Sequence, residues 1–258
     1  MATATEHRVR SADGTEIACT RVGAGPPLVV VDGAGCWSGF NSQRPLAELL
    51  ADDLTVVTYD RRGRGASAGG GRYAIAREVE DLAAVIAAVG PSAAAYGISS
   101  GALLAMQATA AGVPVSRLVL FEPPIADTPG PSPLTGELAD LVAAGRHRDA
   151  ALRFLTSIGV PAAVVDQLWP AMAALVSVAP TLVHDCVLSD ATTVEVARRV
   201  PVPALVLDSG GSTGELAGWA AAVAAALPRG ERRSLPGEWH SVADVDVAAA
   251  VRAFLLAP

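Results

Sequence analysis

Gly97-Ile98-Ser99-Ser100-Gly101 decides the fold of this chain because of what stands on either side of it. Residues 92–96 read as an apolar strand and residues 102–111 as an Ala- and Leu-rich helix, so the pentapeptide falls at a strand-to-helix turn. In that context G-x-S-x-G is a nucleophile elbow, a tight turn that lifts a serine hydroxyl above a sheet, with glycines where a Cβ would clash. With 25 glycines in the chain the pattern alone would mean little. The strand before it, the helix after it and a late histidine give it weight.

The same alternation continues outward in both directions. Residues 7–9 and 16–21 flank Asp13-Gly14, a two-residue hairpin signal. Residues 28–31 and 54–59 are apolar runs short enough to be strands buried on both faces, with a helical segment at 45–50 between them. Residues 74–89 carry apolar side chains at helical spacing, with Glu78, Glu80 and Asp81 in the first turns, where the helix dipole favours negative charge. Further strands are expected at 117–121, 204–207 and 232–235, with a last helix over 242–256. This pattern predicts an α/β fold with a mostly parallel sheet, an antiparallel N-terminal hairpin and catalytic groups at the carboxyl ends of the strands.

One segment breaks the alternation. Between Pro123 and Pro201 there is no strand pattern, only Pro/Gly-rich turn sequence at 127–135 and then helical patterns over 137–145, 149–158, 162–176 and 181–188. A plain crossover needs only about a dozen residues. Residues 124–200 are therefore expected to form a helical cap that shapes a substrate pocket, over a core made of 1–123 and 201–258.

Composition sets the outer limits. A chain of 258 residues, 51% hydrophobic and 17% charged, can bury one substantial core. A net charge of -7 and a pI near 5.1 argue against nucleic acid or an anionic membrane surface as partner, since both demand a basic face. The start, MATATEHRVR, lacks the apolar run of a signal peptide, and no long apolar stretch free of turn residues or charges reads as a membrane span. Cys19, Cys36 and Cys186 are odd in number and widely spaced, which fits reduced thiols in a cytoplasmic protein. Neither CxxC nor HExxH occurs, so no metal is expected.

From about Asp13 to the C-terminus the residues resemble the α/β-hydrolase family. Besides the elbow, Tyr59-Asp60-Arg61-Arg62-Gly63-Arg64-Gly65-Ala66-Ser67 is similar to the family's D-x-R-G-x-G-x-S loop after the fourth strand. Val31-Asp32-Gly33-Ala34-Gly35 stands where the family usually has a strand followed by His-Gly, and Pro236-Gly237-Glu238-Trp239-His240-Ser241-Val242 is similar to the turn that carries the catalytic histidine. The resemblance implies an α/β-hydrolase fold, while the fold itself hosts many chemistries.

A serine hydroxyl is a poor nucleophile near neutral pH and needs a base, for which histidine is the side chain with a suited pKa. Of the four histidines, His240 is placed for it; His7 lies in the first strand, and His147 and His184 fall in the helical insertion. The order Ser99, acid, His240 matches the family order. An oxyanion would be met by the backbone N–H groups of Ser100 and Ala34. The acid departs from the common pattern, because Gly210-Gly211-Ser212-Thr213 offers no carboxylate beyond the strand at 204–207. Glu122, which ends the strand at 117–121, resembles the alternative acid position of some haloalkane dehalogenases and is preferred over Asp208, with no acid at all as the third case. Those dehalogenases attack with a carboxylate, whereas the elbow here holds Ser99.

The resulting expectation is a serine hydrolase that needs no cofactor and cleaves an ester or lactone of a small, mainly apolar substrate through an acyl-enzyme. Asp32 beside the oxyanion loop would oppose negative charge unless protonated, paired with Arg61 or Arg62, or turned away; it is also a candidate to bind a substrate hydroxyl. Trp37, Trp169 and Trp239 are candidate pocket residues, with packing the plainer role for each. Asp32 and the missing usual acid motivate two alternatives, a tailoring enzyme such as a cyclase or carbon–carbon bond hydrolase, and a ligand-binding protein without turnover.

Overall fold

Side chains alternate along the central strands so that both faces of one sheet are apolar. The computed structural model describes residues 3–159, 169 and 172–257. Its sheet contains β1 (Thr5–Arg10), β2 (Glu16–Val22), β3 (Pro27–Val31), β4 (Thr55–Tyr59), β5 (Ala93–Ile98), β6 (Val115–Phe121), β7 (Ala204–Ser209) and β8 (Gly230–Leu235). Their spatial order is β1-β2-β4-β3-β5-β6-β7-β8. Only the β1–β2 and β2–β4 pairs are antiparallel.

Val29, Val31, Ala95, Leu118, Leu120 and Val206 face one layer, while Leu28, Val30, Tyr96, Val119, Leu205 and Leu207 face the other. This period of two in fully buried strands is what a helix-covered parallel sheet requires. The first layer is closed by α2 (Ile75–Val89) and α3 (Ser100–Ala110), and the second by α1 (Arg44–Leu50) and a C-terminal helix (Asp244–Leu255). Helix α3 is packed nearly all round, which its small Ala-rich sequence permits.

The N-terminal hairpin differs from the two-residue expectation. β1 and β2 pair Arg10 with Glu16, so residues 11–15 form the connection, with Gly14 at φ 87° and Asp13 Oδ1 accepting the Thr15 N–H. Side-chain capping by Asp13 here favours a longer turn over a tight one. Glu78 and Asp81 of α2 are buried and paired with Arg61 and Arg62.

Between β6 and β7 the described residues are helical: α4 (Pro133–Ala143), α5 (His147–Ser157), a 3-10 turn (Ala173–Val178), α6 (Ala179–Asp190) and α7 (Val194–Ala197). Most of the helix expected over 162–176 lies outside the described residues. The insertion has its own apolar cluster, including Leu138, Phe154, Leu175 and Leu182, against which Ala34, Trp37 and Phe40 of the β3–α1 connection pack. By length and hydropathy alone Ala173–Asp190 would pass for a membrane span. In this fold its Leu175, Leu182 and Asp185 are instead buried inside the protein.

Candidate active site

Strands β5, β6, β7 and β8 lie side by side, so the residues just beyond their carboxyl ends are brought together. Ser99 sits between β5 and α3 at φ 53° and ψ -125°, its N–H donating to the Phe121 carbonyl at 2.9 Å. The turn closes only because its flanks are glycine. A Cβ on Gly97 would come within 2.6 Å of Ala102 Cα, and one on Gly101 within 2.6 Å of the Asp32 carbonyl oxygen. Real Cβ atoms do not make such contacts, so the elbow needs both glycines.

The next residue after Phe121 is Glu122, buried at 0% exposure with φ 43° and its N–H donating to Leu207 O. Its Oε1 accepts the Ser209 N–H at 2.8 Å, and its Oε2 meets His240 Nδ1 at 2.5 Å. Burial pushes the Glu122 carboxyl up, but hydrogen bonds from His240, the Ser209 amide and Ser212 outweigh it and hold the group below the usual glutamate range.

His240 is presented by a small hairpin in which β9 (Gly237–Glu238) pairs with β10 (Ser241–Val242), leaving Trp239 and His240 as the two turn residues. The φ of 50° at His240 belongs to the second turn position. Its backbone N–H donates to Ser212 Oγ at 2.9 Å. The loop without a carboxylate thus still carries the histidine, through Ser212 and through Gly211, whose Cβ would come within 2.8 Å of Glu238 Cα. Among the described residues no hydrogen bond joins the Ser99 hydroxyl to His240; the formed half of the arrangement is His240–Glu122. Asp208 is elsewhere engaged, accepting from Arg232 Nε at 2.7 Å and Nη2 at 3.0 Å.

Gly33 approaches the elbow closely, since a Cβ there would stand 3.5 Å from Ser99 Cβ. The next residue is Ala34, and Ser100 opens α3, where first-turn N–H groups have no intrahelical acceptor. Asp32 is buried ahead of α1, its Oδ1 accepting the Gln43 N–H at 2.8 Å. Burial raises its pKa to about 7, offset in part by that hydrogen bond and by Arg64. The arginines considered as its partners are committed otherwise: Arg61 to Glu78 and Asp185, Arg62 to Asp81 and Asp13.

Of the tryptophans, Trp239 is 44% exposed with its ring centroid 5.7 Å from that of His240. Trp37 tilts against Phe40 at 5.1 Å and Trp169 lies under Arg148 at 5.1 Å, both partly buried against the insertion's cluster. His184 stacks on Tyr73 at 4.0 Å. The sequence reading missed Asp185, which bonds Ser100 Oγ at 2.8 Å. The available signal was a lone acid within the apolar stretch Thr181-Leu182-Val183-His184-Asp185-Cys186-Val187-Leu188.

A model of the alpha/beta hydrolase family matches residues 23–254. An alpha/beta hydrolase from Sphaerobacter thermophilus is 38% identical, with a TM-score of 0.88 over 96% of this chain and 99% of that one. An enol-lactonase from Burkholderia xenovorans is 20% identical, with a TM-score of 0.77 over 96% and 100% of the two chains. An esterase from a Rhodococcus species is 23% identical, with a TM-score of 0.72 over 98% of each. At their identities the last two bear on the fold alone.

Proposed function

Because the chain belongs to the alpha/beta hydrolase family, we propose that it is a serine hydrolase acting on an ester or lactone of a small, mainly apolar molecule through an acyl-enzyme. The observation that carries this reading is the buried Glu122 carboxylate at 2.5 Å from His240 Nδ1. An ionised carboxylate only accepts, so Nδ1 carries the proton and the Nε2 lone pair is left to take one from Ser99. Ser99 Oγ then attacks the carbonyl carbon, and the Ala34 and Ser100 N–H groups receive the charge that develops on oxygen. His240 returns its proton to the leaving alkoxide, and a water molecule repeats the sequence on the acyl-enzyme.

The alternatives rested on a missing acid and on Asp32. Glu122 facing His240 and Asp32 facing Gln43 both favour hydrolysis. Trp239 beside His240 supports an apolar substrate group at that edge. The test is intact-protein mass after treatment with a fluorophosphonate. One adduct mapped to Ser99, and lost in His240→Ala, is expected. A folded protein that takes no adduct, or an active Ser99→Ala variant, would overturn the proposal.

A further inference from the structure

The three arginines of the loop after β4 lie inside the protein, and Arg64 is the one that reaches the oxyanion loop. With its side chain 1% exposed, it donates from Nη1 to the Gly33 carbonyl at 2.7 Å, from Nη2 to Asp185 Oδ2 at 2.6 Å and from Nε to Thr181 Oγ1 at 3.1 Å. The other oxygen of Asp185 accepts from Ser100 Oγ and from Arg61 Nη1, each at 2.8 Å. One carboxylate on α6 is thereby tied to both stretches that supply the candidate oxyanion donors. The insertion also presses on the loop directly, since a Cβ on Gly35 would come within 3.2 Å of Leu182 Cδ2.

The Gly33 carbonyl and the Ala34 N–H are two ends of one planar peptide and point in opposite directions. Gripping the oxygen therefore sets the aim of the N–H. A cationic donor on that oxygen also polarises the peptide and strengthens the N–H as a donor. We propose that Arg64 and Asp185 are positioning residues that aim the Ala34 N–H at the reacting oxygen, so that the oxyanion site is complete only with α6 seated on the core. This rests on the reading of Ser99 as nucleophile. Arg64 touches neither substrate nor reacting atoms and acts through the Gly33–Ala34 peptide.

The test compares Arg64→Lys, Arg64→Met and Asp185→Asn with the wild type in hydrolysis of p-nitrophenyl acetate, with rates counted per serine titrated by a fluorophosphonate. The second readout is affinity for a trifluoromethyl ketone, whose serine adduct carries an oxyanion, against its methyl ketone parent, which forms little adduct. Expected is a kcat loss of about 10- to 100-fold, below the loss for deleting an oxyanion donor outright, with little change in KM. Trifluoromethyl ketone affinity should fall in step with kcat/KM while methyl ketone affinity holds, a split that loss of stability alone does not produce. Folded variants that keep wild-type kcat and trifluoromethyl ketone affinity overturn the proposal. If the variants do not fold, amide NMR of the wild type decides it: the Ala34 N–H resonance must move on forming the adduct, and an unmoved one overturns the proposal. A wild type that takes no fluorophosphonate overturns the reading of the whole site, whereas labelling with undiminished variants overturns only the role of Arg64 and Asp185.

Discussion

Replacing Glu122 by Gln exchanges one carboxylate oxygen for NH2 with little change in volume, which makes it the sharpest probe of the candidate site. Donors converge on this carboxylate from two sides, the Ser209 N–H on Oε1 and His240 Nδ1 on Oε2. An amide has one acceptor and cannot serve both. If its oxygen stays with Ser209, its NH2 faces Nδ1 and forces the imidazole into the tautomer that carries the proton on Nε2, where it cannot accept one from Ser99. If the amide flips, two buried donors oppose each other at a cost of about 1–3 kcal/mol. The wrong tautomer costs a serine protease about 10⁴ in kcat, and a loss of that order, about 5 kcal/mol of barrier, is expected here. The assay is steady-state hydrolysis of an activated ester with a thermal melt on the same samples, beside Asp208→Asn. Asp208 pairs with Arg232, whose side chain is 39% exposed, so its loss should change kcat by less than about 3-fold. A Glu122→Gln protein within about 10-fold of wild type, or a larger loss in Asp208→Asn, would refute the assignment of the acid.

Asp32→Asn should stabilise the protein in a pH-dependent way. The folded-state pKa is raised from 3.8 to about 7, so the fold holds the proton more tightly than the unfolded chain and stability falls as pH rises through that window. Asparagine does not titrate and can still accept the Gln43 N–H, so the gain in unfolding free energy should be near zero at about pH 4 and reach a few kcal/mol above pH 7. Denaturant melts across that range check it, and a gain independent of pH would contradict it. Gly101→Ala should cost more than about 3 kcal/mol or abolish soluble expression, because the new Cβ meets the backbone oxygens of Val31 and Asp32, which have no freedom to yield. An unchanged melting temperature would contradict the account of the elbow.

The core strands were legible because burial on both faces writes continuous runs such as Leu28-Val29-Val30-Val31, and the elbow was legible because its glycines answer a steric demand inside five residues. The loop at 210–213 holds no carboxylate, which leaves Asp208 and Glu122 open, and Glu122 is preferred through its resemblance to an alternative acid position of the family. Asp185 could not be reached so directly. Its partner Arg64 is 121 residues away, and no local pattern announces an ion pair formed across that distance. The buried Glu78 and Asp81 show the same limit from the other side. On a helix wheel they pass for dipole-facing surface acids, and only the fold brings Arg61 and Arg62 against them.

Among the described residues, only Asn41, Ser99, Glu122 and His240 hold left-handed backbone without being glycine. Three of these four are the residues to which chemistry is assigned here. A side chain in that region carries a cost of about 1–2 kcal/mol per residue that glycine escapes. At Ser99 heat resistance and turnover therefore pull in opposite directions. A library selected for thermal survival alone would be drawn toward glycine at 99, where no side-chain hydrogen bond among the described residues is lost, and would gain robustness by discarding its own candidate nucleophile.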